Sequence, residues 1–163
     1  MLIALFSDIH DHTTHLLLAV HAAKSRGCAH ILFMGDMVSS STFRILREEW
    51  TGGIDLVLGN NEYEHDTFQH MAGQWPQTRF HRYLGNIIMD GRKLFFTHLP
   101  RDAAKAAGSG KYDAVFFGHT HQAEVLQVGS TTVANPGEIY GRQSSPTIGI
   151  YNTSSNTVEI IRI

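Results

Sequence analysis

The chain has almost no thiol chemistry and no excess of positive charge. A single cysteine, Cys28, stands among 163 residues, so neither an internal disulfide nor a thiolate metal site can form. The formal net charge is -2 with 13 Lys plus Arg, which leaves no strongly basic face to track a run of phosphates and counts against a nucleic-acid partner. No apolar run approaches the roughly 18 residues of a membrane span. The opening MLIALFSDIH has too short an apolar run, with no basic residue before it, to act as an export signal. Linkers, repeats and low-complexity tracts are missing as well. The expectation is therefore one domain over 1–163, cytoplasmic and without membrane association. Hydrophobic residues at 42% and charged residues at 17% suit a chain that folds unaided.

Histidine is what the chain has in surplus, with eleven residues. It is the commonest metal ligand and the neutral-pH acid and base, so the positions of these residues carry the functional question. Short apolar runs recur, each ending on a polar cluster: Leu2 to Phe6 before Ser7-Asp8, Ile31 to Met34 before Gly35-Asp36, and Ile54 to Leu58 before Gly59-Asn60. They read as buried strands. Thr13 to Arg26 places Leu16, Leu17, Val20 and Ala23 at helical spacing with Gly27 as a stop. Ser40 to Glu49 and Asn61 to Met71 read as further crossover helices, which makes the sheet parallel.

The second half is strand-rich and reads as largely antiparallel. Ile87 to Met89 and Lys93 to Phe96 form a hairpin on Asp90-Gly91. A short helix over Pro100 to Ala107 precedes a buried strand at Val115 to Phe117. Two more hairpins join Glu124 to Val128 with Thr131 to Ala134, and Thr147 to Tyr151 with Thr157 to Ile161. The pattern predicts two packed sheets with helices outside.

Past the carboxyl ends of these strands stand Asp8 and His10, Asp36, Asn60, His98, then His119 and His121. In open α/β sheets ligands bind at that edge, so residues distant in sequence converge there. Taken singly, Asp8, Asp36 and Asn60 also suit strand ends and caps. With four histidines they make a ligand set for hard to borderline divalent ions such as Mn²⁺, Fe²⁺, Zn²⁺ or Ni²⁺. Seven ligands exceed what one ion needs, whereas a bridging carboxylate can serve two ions about 3.5–4 Å apart. Asp36 is the best candidate for that bridge. His15, His21, His30, His70 and His81 fit helix faces, turns or strand starts and read as structural.

The motifs Asp8-Ile9-His10, Gly35-Asp36, Gly59-Asn60-Asn61-Glu62, Thr97-His98 and Gly118-His119-Thr120-His121 resemble, in order, those of the calcineurin-like metallophosphoesterase superfamily. The small size resembles its compact single-domain phosphodiesterase branch, which also includes the eukaryotic retromer scaffold subunit. The resemblance implies a four-layer α/β/β/α sandwich of two mixed β-sheets flanked by helices. It implies one ion on Asp8, His10, Asp36 and His121 and another on Asp36, Asn60, His98 and His119. Asn135-Pro136-Gly137 with Arg142 resembles the family's late NPG stretch, with Glu138 where serine is more usual. It reads as a structural turn, with Arg142 a candidate phosphate contact. Two departures stand out. Asn61 occupies a place where many relatives carry the histidine thought to protonate the leaving oxygen, and Leu99-Pro100 replaces a frequent Gly-His.

The function expected is hydrolysis of small phosphodiesters, nucleotide-type or aryl, by a hydroxide that two cations, manganese first among them, generate from a shared water. Attack by water implies no phosphoenzyme. Backbone N–H groups at a helix start near Asn60 and Asn61 would help hold the phosphoryl oxygens. With Asn61 unable to donate a proton as an acid, His12 is the first candidate for the leaving-group acid and His65 the second. Asn61, His12, His65 and Arg142 are thus the candidate catalytic residues. A scaffold of the same fold, a nuclease and a phosphomonoesterase are the competing readings, and homo-oligomerisation is left open.

Overall fold

A computed structural model describes residues 1–163. Four segments are helical: α1 Thr13–Ser25, α2 Ser40–Glu49, α3 His65–Gly73 and α4 Pro100–Gly108. The strands are β1 Leu2–Phe6, β2 His30–Met34, β3 Gly53–Val57, β4 Thr78–Phe80, β5 Leu84–Met89, β6 Arg92–Thr97, β7 Ala114–Phe116, β8 Ala123–Val128, β9 Thr131–Pro136, β10 Thr147–Asn152 and β11 Thr157–Arg162. One sheet has the order β11-β10-β1-β2-β3-β4 and the other β5-β6-β7-β9-β8. Both are mixed.

Strand alternation sorts the core into layers, because successive side chains point to opposite faces. Ala4 and Phe6 of β1, Ile31 and Phe33 of β2, and Ile54 and Leu56 of β3 pack against helical residues such as Leu16, Val20, Phe43 and Phe68. Ile3 and Leu5, Leu32 and Met34, and Val57 instead meet Ile87, Leu94, Phe96 and Phe116 of the second sheet. The outer face of that sheet, through Phe95, Val115 and Val133, packs on Ala103, Ala106 and Ala107 of α4. The result is a four-layer α/β/β/α sandwich, as the resemblance implied. Fully burying a side chain such as Leu5 or Leu94 contributes about 1.5–3 kcal/mol, so these layers dominate stability.

The structure adds to or departs from the sequence reading in four places. The last hairpin, β10–β11, joins the first sheet, with β10 antiparallel to β1. The three hairpins of the second half are antiparallel as read, but β7 lies parallel to both β6 and β9, because α4 makes β6 and β7 a crossover unit. Strand β4, parallel to β3, leaves no signal in the sequence, as Thr78-Arg79-Phe80 offers one apolar residue. Helix α3 begins at His65 rather than Asn61. Glu62 is buried among the backbone N–H groups of Gly59, Met37 and Val38, and this holds the preceding residues in a loop.

One polar cluster interrupts the apolar interior. Asp55 of β3 is fully buried, and His30 Nε2–H and His81 Nε2–H donate to its carboxylate at 2.7 and 2.5 Å. Arg79 adds a two-pronged contact at 2.8 and 2.6 Å. Burial works against the Asp55 charge, yet these donors hold its carboxyl well below the usual carboxylate range.

Candidate metal centre

The loops after β1, β2, β3, β6 and β7 deliver all seven sequence-selected ligands to one place. His10 Nε2 lies 3.8 Å from Asp8 Oδ1 and 3.3 Å from His121 Nε2, and His121 Nε2 lies 3.2 Å from Asp8 Oδ1. On the other side, His98 Nε2 is 3.0 Å from Asn60 Oδ1 and 3.2 Å from His119 Nδ1. Asp36 joins the two groups: its Oδ2 is 3.6 Å from His10 Nε2 and 3.4 Å from His98 Nε2.

The backbone adopts uncommon conformations to achieve this. Asp8, His10, Asp36, His119 and His121 all have φ between 45° and 70°, the left-handed region that costs a non-glycine residue energy. Packing over-determines them. A side chain at Gly59 would collide with the backbone and carboxylate of Asp36, and one at Gly118 with Ser7 and Asp8, so glycine is what lets the loops close together.

Surrounding groups aim the donors. Ser7 Oγ and the His119 N–H donate to Asp8 Oδ2 at 2.5 and 3.0 Å, leaving Oδ1 facing the histidines. The Asn60 and Asn61 N–H groups donate to Asp36 Oδ1 at 2.9 and 3.0 Å, and Asn61 Nδ2 donates to Oδ2 at 2.6 Å. His98 Nδ1–H donates to the Met34 carbonyl at 2.7 Å, which fixes the tautomer with a lone pair on Nε2. His121 Nδ1–H does the same toward Glu138 Oε2 at 2.6 Å. Asn135 Nδ2 ties the Gly118–Thr120 loop down, donating to the Gly118 carbonyl at 3.0 Å and Thr120 Oγ1 at 2.9 Å.

The electrostatics call for positive charge. The Asp8 carboxylate beside His121, opposed by burial and reinforced by Glu138, pushes this imidazole up to about 9. Burial works against a charged His98, but Asp36 raises it nonetheless. Burial likewise opposes ionised Asp36, yet His98 and Asn61 hold its carboxyl well below the usual range. Glu62 is raised by burial and by Asp36 nearby.

These residues fit divalent cations. Asp8 Oδ1 is buried without a hydrogen-bond partner, a costly state that a cation relieves. Donors held about 2.1 Å from one ion sit about 3–3.5 Å from each other, close to the spacings here. Asp8, His10 and His121 on one side, and Asp8, Asp36 and His98 on the other, keep their donor atoms within 4.8 Å of one another.

The candidate catalytic residues fare differently. Asn61 lies against Asp36 as a donor. His12 is the N-cap of α1: its Nδ1 accepts the His15 N–H at 3.2 Å, so its proton resides on Nε2. Its ring stacks on His15 at 3.8 Å between centroids and lies 6.0 Å from Tyr140, which is 5.2 Å from the His10 ring. His65 is not brought into the cluster: Nε2–H donates to the Glu62 carbonyl at 2.8 Å and Nδ1 faces the Tyr83 hydroxyl at 3.4 Å. Arg142 is exposed. The N–H groups of Asn60 and Asn61, expected to face a phosphate, are taken up by Asp36, and no helix starts there. Sequence reasoning misses Ser7, Glu62, Asn135, Glu138 and Tyr140. Glu138 gives one signal, a carboxylate where the resemblance leads to serine, but by sequence alone it reads as part of a turn.

A model of the calcineurin-like phosphoesterase superfamily domain matches residues 1–156. A phosphodiesterase of Methanocaldococcus jannaschii is 30% identical over 156 residues, covering 94% of this chain and 93% of its own. The solved structure of an archaeal phosphodiesterase superposes with a TM-score of 0.93 at 28% identity over 100% of both chains. Vps29 of Entamoeba histolytica, solved in complex with zinc, has a TM-score of 0.65 at 17% identity over 100% of this chain and 98% of that one, a likeness of fold.

Proposed function

As the chain belongs to the calcineurin-like phosphoesterase superfamily, and is therefore a phosphoesterase, we propose that it is a one-domain, dinuclear metal-dependent phosphodiesterase acting on small diesters. The observation that carries this reading is Asp36, one oxygen of which stands within 3.6 Å of His10 Nε2 and 3.4 Å of His98 Nε2. One ion would be held by Asp8, His10, Asp36 and His121 and the other by Asp36, Asn60, His98 and His119. Manganese is the first metal to supply. Bound there, divalent cations provide Lewis acidity, easing the deprotonation of water and polarising phosphoryl oxygens.

The side chains do the rest. Asp8 and Asp36 bring fixed negative charge, and Ser7, Asn61 and the His119 N–H hold those carboxylates in one rotamer, so little reorganisation is left for the reaction. Met34 and Glu138 keep the His98 and His121 lone pairs on Nε2. His12, its ring near Tyr140, is the candidate to protonate a departing oxygen; it would do so from Nε2 as the imidazolium, which gives up the bond its Nδ1 accepts from the His15 N–H. Asn61 cannot do so; it orients Asp36. A site with its acid at one remove favours diesters with good leaving groups over monoesters.

The test is a hydrolysis panel of aryl monoester, aryl diester, cyclic nucleotides and single-stranded DNA with Mn²⁺, Ni²⁺, Zn²⁺ or Mg²⁺. Diester hydrolysis ahead of monoester is expected, together with loss of metal content in His98→Ala. Faster monoester turnover would overturn the diester assignment. Inactivity throughout, with no tightly held metal, would leave only the scaffold role.

A further inference from the structure

Beside Asn60 and His98 the surface changes character. A cavity of about 320 Å³ opens there, with those two side chains on one wall and Leu58, Tyr83, Leu84 and Leu99 on the others. Tyr83, Leu84 and Leu99 are 45, 50 and 37% exposed, so three large apolar side chains are left in water beside the most polar part of the molecule. Scattered exposed apolar residues are ordinary; a group of them enclosing a cavity next to a reaction centre marks a ligand surface.

Tyr83 is held ready. The Thr97 hydroxyl donates to its carbonyl at 3.2 Å, Arg82 lies 5.4 Å from its ring centroid, and the His65 ring meets it edge-on at 5.9 Å. The Arg82 and His65 contacts narrow the ring's freedom beforehand, which lowers the cost of packing another ring on it. Asp102, in the first turn of α4, supplies the one carboxylate on the cavity wall outside the metal cluster. It can accept from an N–H and opposes a second anion. The size suits one ring system, and the chemistry asks for a flat, uncharged group bearing N–H donors.

We propose that this cavity is a nucleobase subsite, and hence that the diesters this protein hydrolyses are nucleotide-type, with Tyr83, Leu84 and Leu99 packing the base and Asp102 accepting from it. The assignment rests on the phosphodiesterase reading, since the phosphate must reach the ions that Asn60 and His98 would hold.

The test measures binding of adenosine 5′-monophosphate, phenyl phosphate and ribose 5-phosphate to the Mn²⁺-loaded protein by calorimetry, and as competitors of aryl diester hydrolysis. All three carry the same phosphate; only the appended group differs. Adenosine monophosphate is expected to bind about tenfold more tightly than ribose 5-phosphate, the order of one base–aromatic contact, with phenyl phosphate between them. Tyr83→Ala and Leu99→Ala should shrink that ratio to near unity, Tyr83→Phe should keep most of it, and a thermal melt verifies that each variant folds. Equal binding of adenosine monophosphate and ribose 5-phosphate by an active enzyme would overturn the subsite while leaving the phosphodiesterase reading in place. Phenyl phosphate binding ahead of adenosine monophosphate would overturn the base assignment in favour of an aryl group. Absence of hydrolysis and of phosphate binding altogether would remove both readings.

Discussion

Replacing Glu138 by glutamine changes one atom type in a fully buried side chain, and the surrounding hydrogen bonds dictate the cost. In the native protein Oε1 accepts the Gln143 and Ser144 N–H groups at 2.5 and 2.8 Å, and Oε2 accepts His121 Nδ1–H at 2.6 Å. A glutamine has one oxygen. If it keeps the two backbone donors, its NH₂ faces His121 Nδ1, which must then become an acceptor, and the imidazole proton moves to Nε2. That nitrogen is the one aimed at Asp8 and His10. If the amide flips, its NH₂ meets two N–H groups, which is worse. Either way His121 is misprotonated or misplaced for the proposed ion. Loss of such an outer partner of a metal-binding histidine typically lowers metal affinity by about 10–100-fold, or roughly 1.4–2.7 kcal/mol. Calorimetric titration with Mn²⁺ should resolve a weakened event for the ion using His121, while the ion on Asn60, His98 and His119 changes little. A Glu138→Gln titration that overlays the wild type would refute this use of Glu138.

Three other outcomes are expected. Asp55→Asn removes the charge that His30, His81 and Arg79 surround, and breaking so buried a pairing should lower unfolding free energy by about 3–5 kcal/mol in urea denaturation. Because the Asp55 carboxyl is held below its ordinary range, its contribution is complete above about pH 4 and is lost only as pH falls through the lower folded value; a wild-type advantage that disappears already at pH 6 would contradict this. His121 is raised to about 9, so its stabilisation of metal-free protein is full below about pH 6.5 and fades as pH rises toward 9, where cations no longer compete with its proton. The gain in Tm on adding Mn²⁺ should therefore grow across that window, and a flat gain would count against His121 as a ligand. His12→Ala should slow hydrolysis of an alkyl-leaving diester by about 10²-fold or more while leaving an aryl-leaving one within a few-fold; equal effects on both would exclude His12 as the acid.

Much of the architecture is legible in the sequence because buried strands announce themselves. Leu2–Phe6 and Ser40–Glu49 run between the bounds that apolar runs and helical spacing set. The polar residue after each such run marks a sheet edge, and this is why Asp8, Asp36, Asn60 and the histidines group together on sequence grounds alone. Pairing between distant strands leaves weaker traces: nothing local in Thr147 to Tyr151 tells which sheet the last hairpin joins, and β4 is too short to carry a pattern. The supporting groups of the site are illegible for a related reason. Glu138 reaches His121 across 17 residues and Glu62 reaches Met37 across 25, contacts that only the folded chain brings about. The apolar cavity is likewise assembled from Tyr83 just before β5, Leu84 at its start and Leu99 at the cap of α4, residues that only the folded chain brings together.

The proposed two-ion centre, with Asp36 as its bridge, is tested most directly by electron paramagnetic resonance of the Mn²⁺-loaded protein together with metal analysis. Two ions per chain with the exchange-coupled spectrum of a pair about 3.5–4 Å apart are expected, the coupling vanishing in Asp36→Asn. One ion per chain, or two that show no coupling, would contradict the bridge.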